Sequence, residues 1–142
     1  MPQFLLDTNV VSETRRPKPE PRVIEWLFHQ PKDDLFLAAV SLGELVRGVE
    51  KLPAGSHRQT LQHWITHKIM QDFKGRILAF DRSAAEIWGR LLGNGDRVGR
   101  VLPVLDAQIA ATAISRGLVV ATRNVADHAA MGAQVFDPWM GR

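Results

Sequence analysis

Apolar positions along this chain fall into two patterns: short continuous runs, and stretches spaced three and four residues apart. Both occur in Pro103 to Asp127, PVLDAQIAATAISRGLVVATRNVAD. Pro103 opens a helix whose apolar face is Ile109, Ala110, Ala113 and Ile114. Gly117 stops it, since glycine accepts the left-handed backbone that ends many helices. Leu118 to Ala121 is too short for a helix and β-branched at Val119 and Val120, which suits a buried strand. The same alternation runs through the rest of the chain. Gln3 to Leu6 reads as a strand closed by Asp7, and Thr8 to Glu13 as a short helix or a turn. Arg15 to Pro19 is a basic, proline-broken loop. Pro21 to about His29 is a helix with Val23, Trp26 and Leu27 on one face. Leu35 to Val40 is a second strand, and Ser41 to about Leu52 a helix carrying Leu42, Leu45, Val46 and Val49. Ser56 to Phe73 is a longer helix, Arg76 to Phe80 a third strand, and Ser83 to about Leu92 a helix with Ile87, Trp88 and Leu91 inward. Asn94 to Arg100 reads as a glycine-rich basic loop. Asp127 to Met131 is a short helix and Gln134 to Phe136 a last edge strand. Strands alternating with helices predict an α/β fold with a mainly parallel sheet.

Composition narrows the class. The 142 residues suffice for one domain with a full core, so residues 1–142 are taken as a single domain. With 45% apolar residues, disorder is not expected. No apolar run reaches the length of a membrane span, and no leader pattern is present, so a cytoplasmic protein is expected. Zero cysteines exclude a disulfide framework and thiolate metal ligation. A net charge of +3 permits a nucleic-acid partner without requiring one.

The order of elements then concentrates the acids. A parallel α/β sheet presents its ligand site at the carboxyl ends of its strands. Asp7 ends the first strand, Glu44 follows the second, and Asp106 lies in the first turn of the Pro103 helix. Asn124, or Asp127 three residues later, follows the Leu118 strand. At about 4 Å and an effective dielectric near 20, each like-charged pair costs roughly 4 kcal/mol. A cation among them removes that cost, and an all-oxygen site suits Mg²⁺ or Mn²⁺ rather than zinc. Each acid also has a purely structural explanation. Asp106 suits the helix dipole, Ser41 to Glu44 spells a capping box, and Asp7-Thr8-Asn9 fits an ordinary turn. Asp81 is read as a helix cap beside the Ser83–Glu86 box.

The stretches FLLDTNVVSE, SLGELVRGVEKL and LDAQIAATAISRGLVVATRN, with the closing FDPW, resemble the motif blocks of PIN-domain proteins. More narrowly, they resemble the VapC and FitB-like toxins of bacterial type II toxin–antitoxin pairs. The resemblance runs essentially end to end. It implies a three-layer α/β/α sandwich and an endoribonuclease dependent on Mg²⁺ (or Mn²⁺). It also implies a VapB- or FitA-like antitoxin, a homodimer, and a larger toxin–antitoxin assembly on operator DNA through the antitoxin. Carried over by position, Asp7, Glu44 and Asp106 are the catalytic and metal-binding acids. The fourth acid falls at Asn124, a departure that Asp127 partly offsets and that puts two-metal chemistry in question. Thr8, Asn9, Ser41 and Thr122 line or support the cleft. Arg15, Arg16, Lys18, Arg97 and Arg100 are candidates for steering a phosphate backbone. The alternative is a catalytically weak PIN-like module that binds RNA or an antitoxin without efficient cleavage. A phosphatase with Asp7 as nucleophile fits less well, because Asn9 stands where such an enzyme needs a second aspartate. His63 and His67, four apart on a helix, lack a third ligand, and the four tryptophans read as core or subunit contacts.

Overall fold

The computed structural model describes residues 2–142. Among them, β1 (Phe4–Leu6), β2 (Leu35–Ala38), β3 (Ile77–Leu78), β4 (Val119–Ala121) and β5 (Val135–Phe136) form one sheet. The order is β3-β2-β1-β4-β5 and every pairing is parallel. β1 is central, with Leu6 opposite Leu37 on one side and Ala121 on the other. The chain builds outward from β1 through β2 to β3, then crosses back to lay β4 on the opposite flank. That reversal leaves a crevice between the carboxyl ends of β1 and β4, where ligands bind in open α/β sheets.

Strand side chains alternate between faces, so each face of the sheet buries its own set. Phe4 and Leu6 join a cluster with Val10, Val23, Leu45, Val49, Ile65 and Ile69. These come from α1 (Thr8–Glu13), α2 (Pro21–His29), α3 (Ala39–Glu50) and a π-helical segment (Ile65–Ile69). Leu5 and Val120 face the other way, onto Ala107, Ile109, Ala110 and Ala113 of α7 (Val104–Arg116). Trp88, Leu91 and Leu92 of α6 (Arg82–Arg97) pack behind them. The result is the expected α/β/α sandwich. Alanine predominates on the buried face of α7, which lets that helix lie close to the sheet. Gly117 ends it at φ 67°.

Several boundaries differ from expectation. The helix after β2 starts at Ala39, not Ser41, and its cap position is Ala38. Ser41 therefore caps nothing; it is the third helical residue, fully buried. Glu44 moves from the first helical turn to the second. Ser83 is likewise inside its helix, and the cap is Asp81, whose carboxylate accepts from the Ala84 backbone at 3.0 Å. The third strand contracts to Ile77–Leu78. Asn94 to Arg97 is helical rather than loop. Gly95 is needed there because the Arg100 carbonyl oxygen would lie 2.6 Å from a Cβ at that position. Ile114, expected on the apolar face, is 37% exposed.

The long helix after Gly55 is not uniform. Its first part, α4 (Ser56–Trp64), passes through the π segment into α5 (Met70–Asp72). The Met70 N–H reaches back five residues to the Ile65 carbonyl. The wider turn keeps Ile65, Ile69 and Phe73, spaced four apart, on one buried face.

Candidate active site

Asp7 follows the last residue of β1 and caps α1. Its backbone N–H donates to the Ala121 carbonyl at 2.9 Å, tying it to β4. Its side chain is buried and heavily bonded. Oδ1 accepts from the Thr8 backbone N–H at 2.7 Å. Oδ2 accepts from the Thr122 hydroxyl at 2.8 Å and meets His128 Nε2 at 3.2 Å. The Asn9 amide approaches the same oxygen at 3.5 Å. Thr122 is level with Asp7 because Leu6 and Ala121 are in register. Its hydroxyl also accepts from the Asn124 backbone N–H at 2.9 Å, so its own proton is directed to Asp7.

Asp106 lies in the first turn of α7, half-buried, across the crevice from Asp7. One oxygen of Asp7, one oxygen of Asp106 and one ring nitrogen of His128 all lie within 4.8 Å of one another. Glu44 stands beside this group rather than in it. The Thr8 hydroxyl donates to its Oε1 at 2.6 Å, so Thr8 bridges Asp7 and Glu44.

The two aspartates titrate in opposite directions. Burial pushes the Asp7 carboxyl up, but hydrogen bonds from His128 and Thr122, attraction to His128 and the Thr8 N–H outweigh it, leaving it below the ordinary carboxylate value. Burial pushes Asp106 up; the charges of Asp7 and Asp127 add to this, and His128 opposes it. Two carboxylates held together with one resisting ionisation is the electrostatic situation a dication relieves. Their oxygen donors suit Mg²⁺ or Mn²⁺.

The remaining candidates divide. Asn124 is exposed, precedes α8 (Val125–Ala130), and makes no side-chain cap bond. Asp127 is exposed and acts on Asp106 through its charge. Ser41 is buried with its hydroxyl unbonded among the described residues. Thr8, Ser12, Arg15, Arg16, Glu44, His57 and Trp64 line a cleft of about 540 Å³ adjoining the acids. Arg15 lies 5.6 Å above the Trp64 ring, and Arg16 pairs with buried Glu13 at 3.4 Å. Lys18, Arg97 and Arg100 are exposed and do not line that cleft. An apolar cavity of about 340 Å³ beside Leu27, Phe28, Trp64 and Phe73 contains none of the site's acids. His63 and His67 are exposed, with rings 4.1 Å apart and no third ligand among the described residues. Trp26, Trp64 and Trp139 pack on the first core cluster and Trp88 on the second.

His128, fully buried in α8, is the site residue that the sequence reading missed. A signal existed. It lies four residues after Asn124, one helical turn on, and a turn that starts at a strand's carboxyl end can face back into the crevice.

Residues 4–130 match the PIN domain. The chain belongs to the PIN-domain family, among its VapC and FitB-like toxins. VapC ribonuclease Y4jK of Sinorhizobium fredii is 34% identical over 96% of this chain and 97% of its own length. The crystal structure of FitAcB from Neisseria gonorrhoeae superposes with a TM-score of 0.90 at 38% identity, covering 96% of this chain and 99% of that one. DNA-bound VapBC from Salmonella typhimurium superposes with a TM-score of 0.73 at 27% identity, over 97% and 99% of the two chains.

Proposed function

We propose that this PIN domain is a metal-dependent endoribonuclease acting as the toxin of a toxin–antitoxin pair. The observation that carries the reading is the crevice between β1 and β4. There Asp7 and Asp106 converge from different elements, and Glu44 is held beside them through Thr8. A relative named a ribonuclease shares nearly the whole chain, which favours RNA as the substrate.

A Mg²⁺ or Mn²⁺ ion in the crevice would supply Lewis acidity, easing deprotonation of the attacking water and offsetting charge on the phosphate. Asp7 and Asp106 would hold it. Glu44, oriented by the Thr8 hydroxyl, accepts the proton of the attacking water. The water oxygen attacks phosphorus in line, the P–O3′ bond breaks, and the departing 3′-oxygen takes a proton from solvent, leaving a 5′-phosphate and a 3′-hydroxyl. No 2′-hydroxyl takes part. Arg15 and Arg16, on the adjoining cleft, draw the backbone toward the acids. Lys18, Arg97 and Arg100 add positive charge farther out.

The two-part names of the solved relatives, FitAcB and VapBC, one of them DNA-bound, support a VapB- or FitA-like antitoxin that carries the toxin to operator DNA. A homodimer belongs to the same reading. Asn124, exposed and uncharged, favours one ion over two.

The deciding experiment is cleavage of total bacterial RNA by wild type and Asp7→Asn, with Mg²⁺ and with EDTA. Discrete fragments from wild type alone, abolished by EDTA, are expected. Folded, antitoxin-free protein that cuts nothing would instead favour a PIN module that binds RNA or antitoxin without efficient cleavage.

A further inference from the structure

His128 has no role in the mechanism above, yet it is a fully buried polar side chain touching that site. Its exposure is 0%, and Nε2 lies 3.2 Å from Asp7 Oδ2. Two roles fit such a ring: ligand to the ion, or donor to a ligand. The other nitrogen separates them. A histidine that binds metal through Nε2 presents a bare Nε2, so its proton sits on Nδ1 and is ordinarily held by an acceptor. Here Nδ1 is buried with no partner among the described residues. A donor role places the proton on Nε2, where Asp7 accepts it.

Counting lone pairs on Asp7 leads to the same conclusion. A carboxylate offers about four acceptor sites. Oδ2 takes the Thr122 hydroxyl and His128, with the Asn9 amide at the outer limit of 3.5 Å, and Oδ1 takes the Thr8 N–H. One site on Oδ1 remains open. We propose that His128 is a positioning residue of the metal site, holding Asp7 Oδ2 so that Oδ1 alone is presented to the dication. The inference rests on the nuclease reading given above. It also bears on the departure at the fourth acid position. Asn124 brings no charge to the crevice and its side chain makes no cap bond there. One turn later, the same α8 delivers a hydrogen-bond donor to the first acid instead.

The test is Mn²⁺ binding to the full chain, measured by calorimetry without RNA, for wild type, His128→Leu and His128→Gln. Leucine has nearly the volume of histidine but no donor; glutamine has an amide that reaches a similar place. Leucine is expected to weaken Mn²⁺ binding about 10–100-fold, and glutamine to restore most of it. Undiminished affinity in the leucine variant overturns the proposal, as does failure of a folded glutamine variant to recover. Should leucine prevent folding, pulsed electron spin resonance of Mn²⁺ on wild type decides the role. A directly bonded ¹⁴N coupling would make His128 a ligand and overturn the proposal; its absence, with Mn²⁺ bound, is the expected result. Wild type that binds no dication would overturn the nuclease reading itself, an outcome distinct from either result on His128.

Discussion

Without metal, the two aspartates of the site should affect stability with opposite sign, and Asp106→Asn is the sharper test. An oxygen of Asp106 lies within 4.8 Å of one of Asp7. Two full charges at that separation repel by about 3.5 kcal/mol at an effective dielectric of 20, and by about 0.9 kcal/mol in water. Asp106 is only half-buried and His128 opposes part of the repulsion, so the lower figure is appropriate, about 1 kcal/mol. Folding raises the Asp106 pKa above 3.8, so the ionised side chain opposes folding. Stability with respect to this group is greatest below 3.8, where folded and unfolded chains both hold the proton. It declines as pH rises through that value toward the raised folded one. In EDTA at neutral pH, Asp106→Asn should raise the melting temperature by about 2–4 °C, and the gain should fade toward about pH 3. Asp7 behaves oppositely. Its folded pKa is depressed, so its contribution is present above 3.8 and lost as pH falls through the folded value. Asp7→Asn should therefore destabilise the metal-free protein, by about 1–3 kcal/mol for disrupted bonds to a buried carboxylate. Thermal melts of the three proteins across pH provide the assay. A fall in melting temperature for Asp106→Asn in EDTA, or a gain unchanged in acid, would refute the reasoning.

Other outcomes follow from single contacts. Saturating Mg²⁺ or Mn²⁺ should raise the wild-type melting point, by about 2.7 kcal/mol of stability at a hundred times Kd, and much less for Asp106→Asn; scanning calorimetry with and without EDTA checks this. Glu13 is 4% exposed and accepts from the Glu20 backbone at 2.8 Å, so Glu13→Ala should cost about 1–3 kcal/mol by leaving that N–H unpaired; urea unfolding measures it. Gly95→Ala would drive a methyl against the Arg100 carbonyl and should cost about 1–3 kcal/mol, with the melting temperature as readout. Thr8→Val removes the donor to Glu44 while keeping the shape, and should lower kcat more than it raises KM for RNA, as single-turnover cleavage would show.

The fold was legible because its strands are short apolar runs between glycines, prolines and charges, and its helices carry clear three-and-four spacing. Boundaries failed where those cues ran together. Leu35 to Val40 is uninterrupted by any polar residue, so nothing local marks Ala39 as the turn from strand to helix. Asn94 to Arg97 contains glycine, which reads as loop. Its reason for being helical is a close approach to the Arg100 carbonyl that only the folded chain makes. The carboxylates Asp7 and Asp106 could be placed on one rim because strand ends and helix starts share an edge in parallel sheets. Glu44 was placed one turn too early by the same boundary error. His128 had one local signal, its place a turn after Asn124, but its partner was hidden: the pairing of β1 with β4 brings it to Asp7 from 121 positions away. The π segment had no local signal, since its four-residue spacing also fits an ordinary helix.

That long-range pairing sets a time order for the protein's own synthesis. Chains emerge amino end first, at roughly 5–20 residues per second. Asp7 is made 115 residues before Thr122 and 121 before His128. The hydroxyl and ring that steady its carboxylate, from Thr122 and His128, therefore emerge long after it. β1 can pair early with β2, but its other edge stays unfilled until β4 has been translated. A partly made chain on the ribosome thus carries Asp7 on an incomplete sheet, and synthesis through β4 and α8 gates assembly of the site.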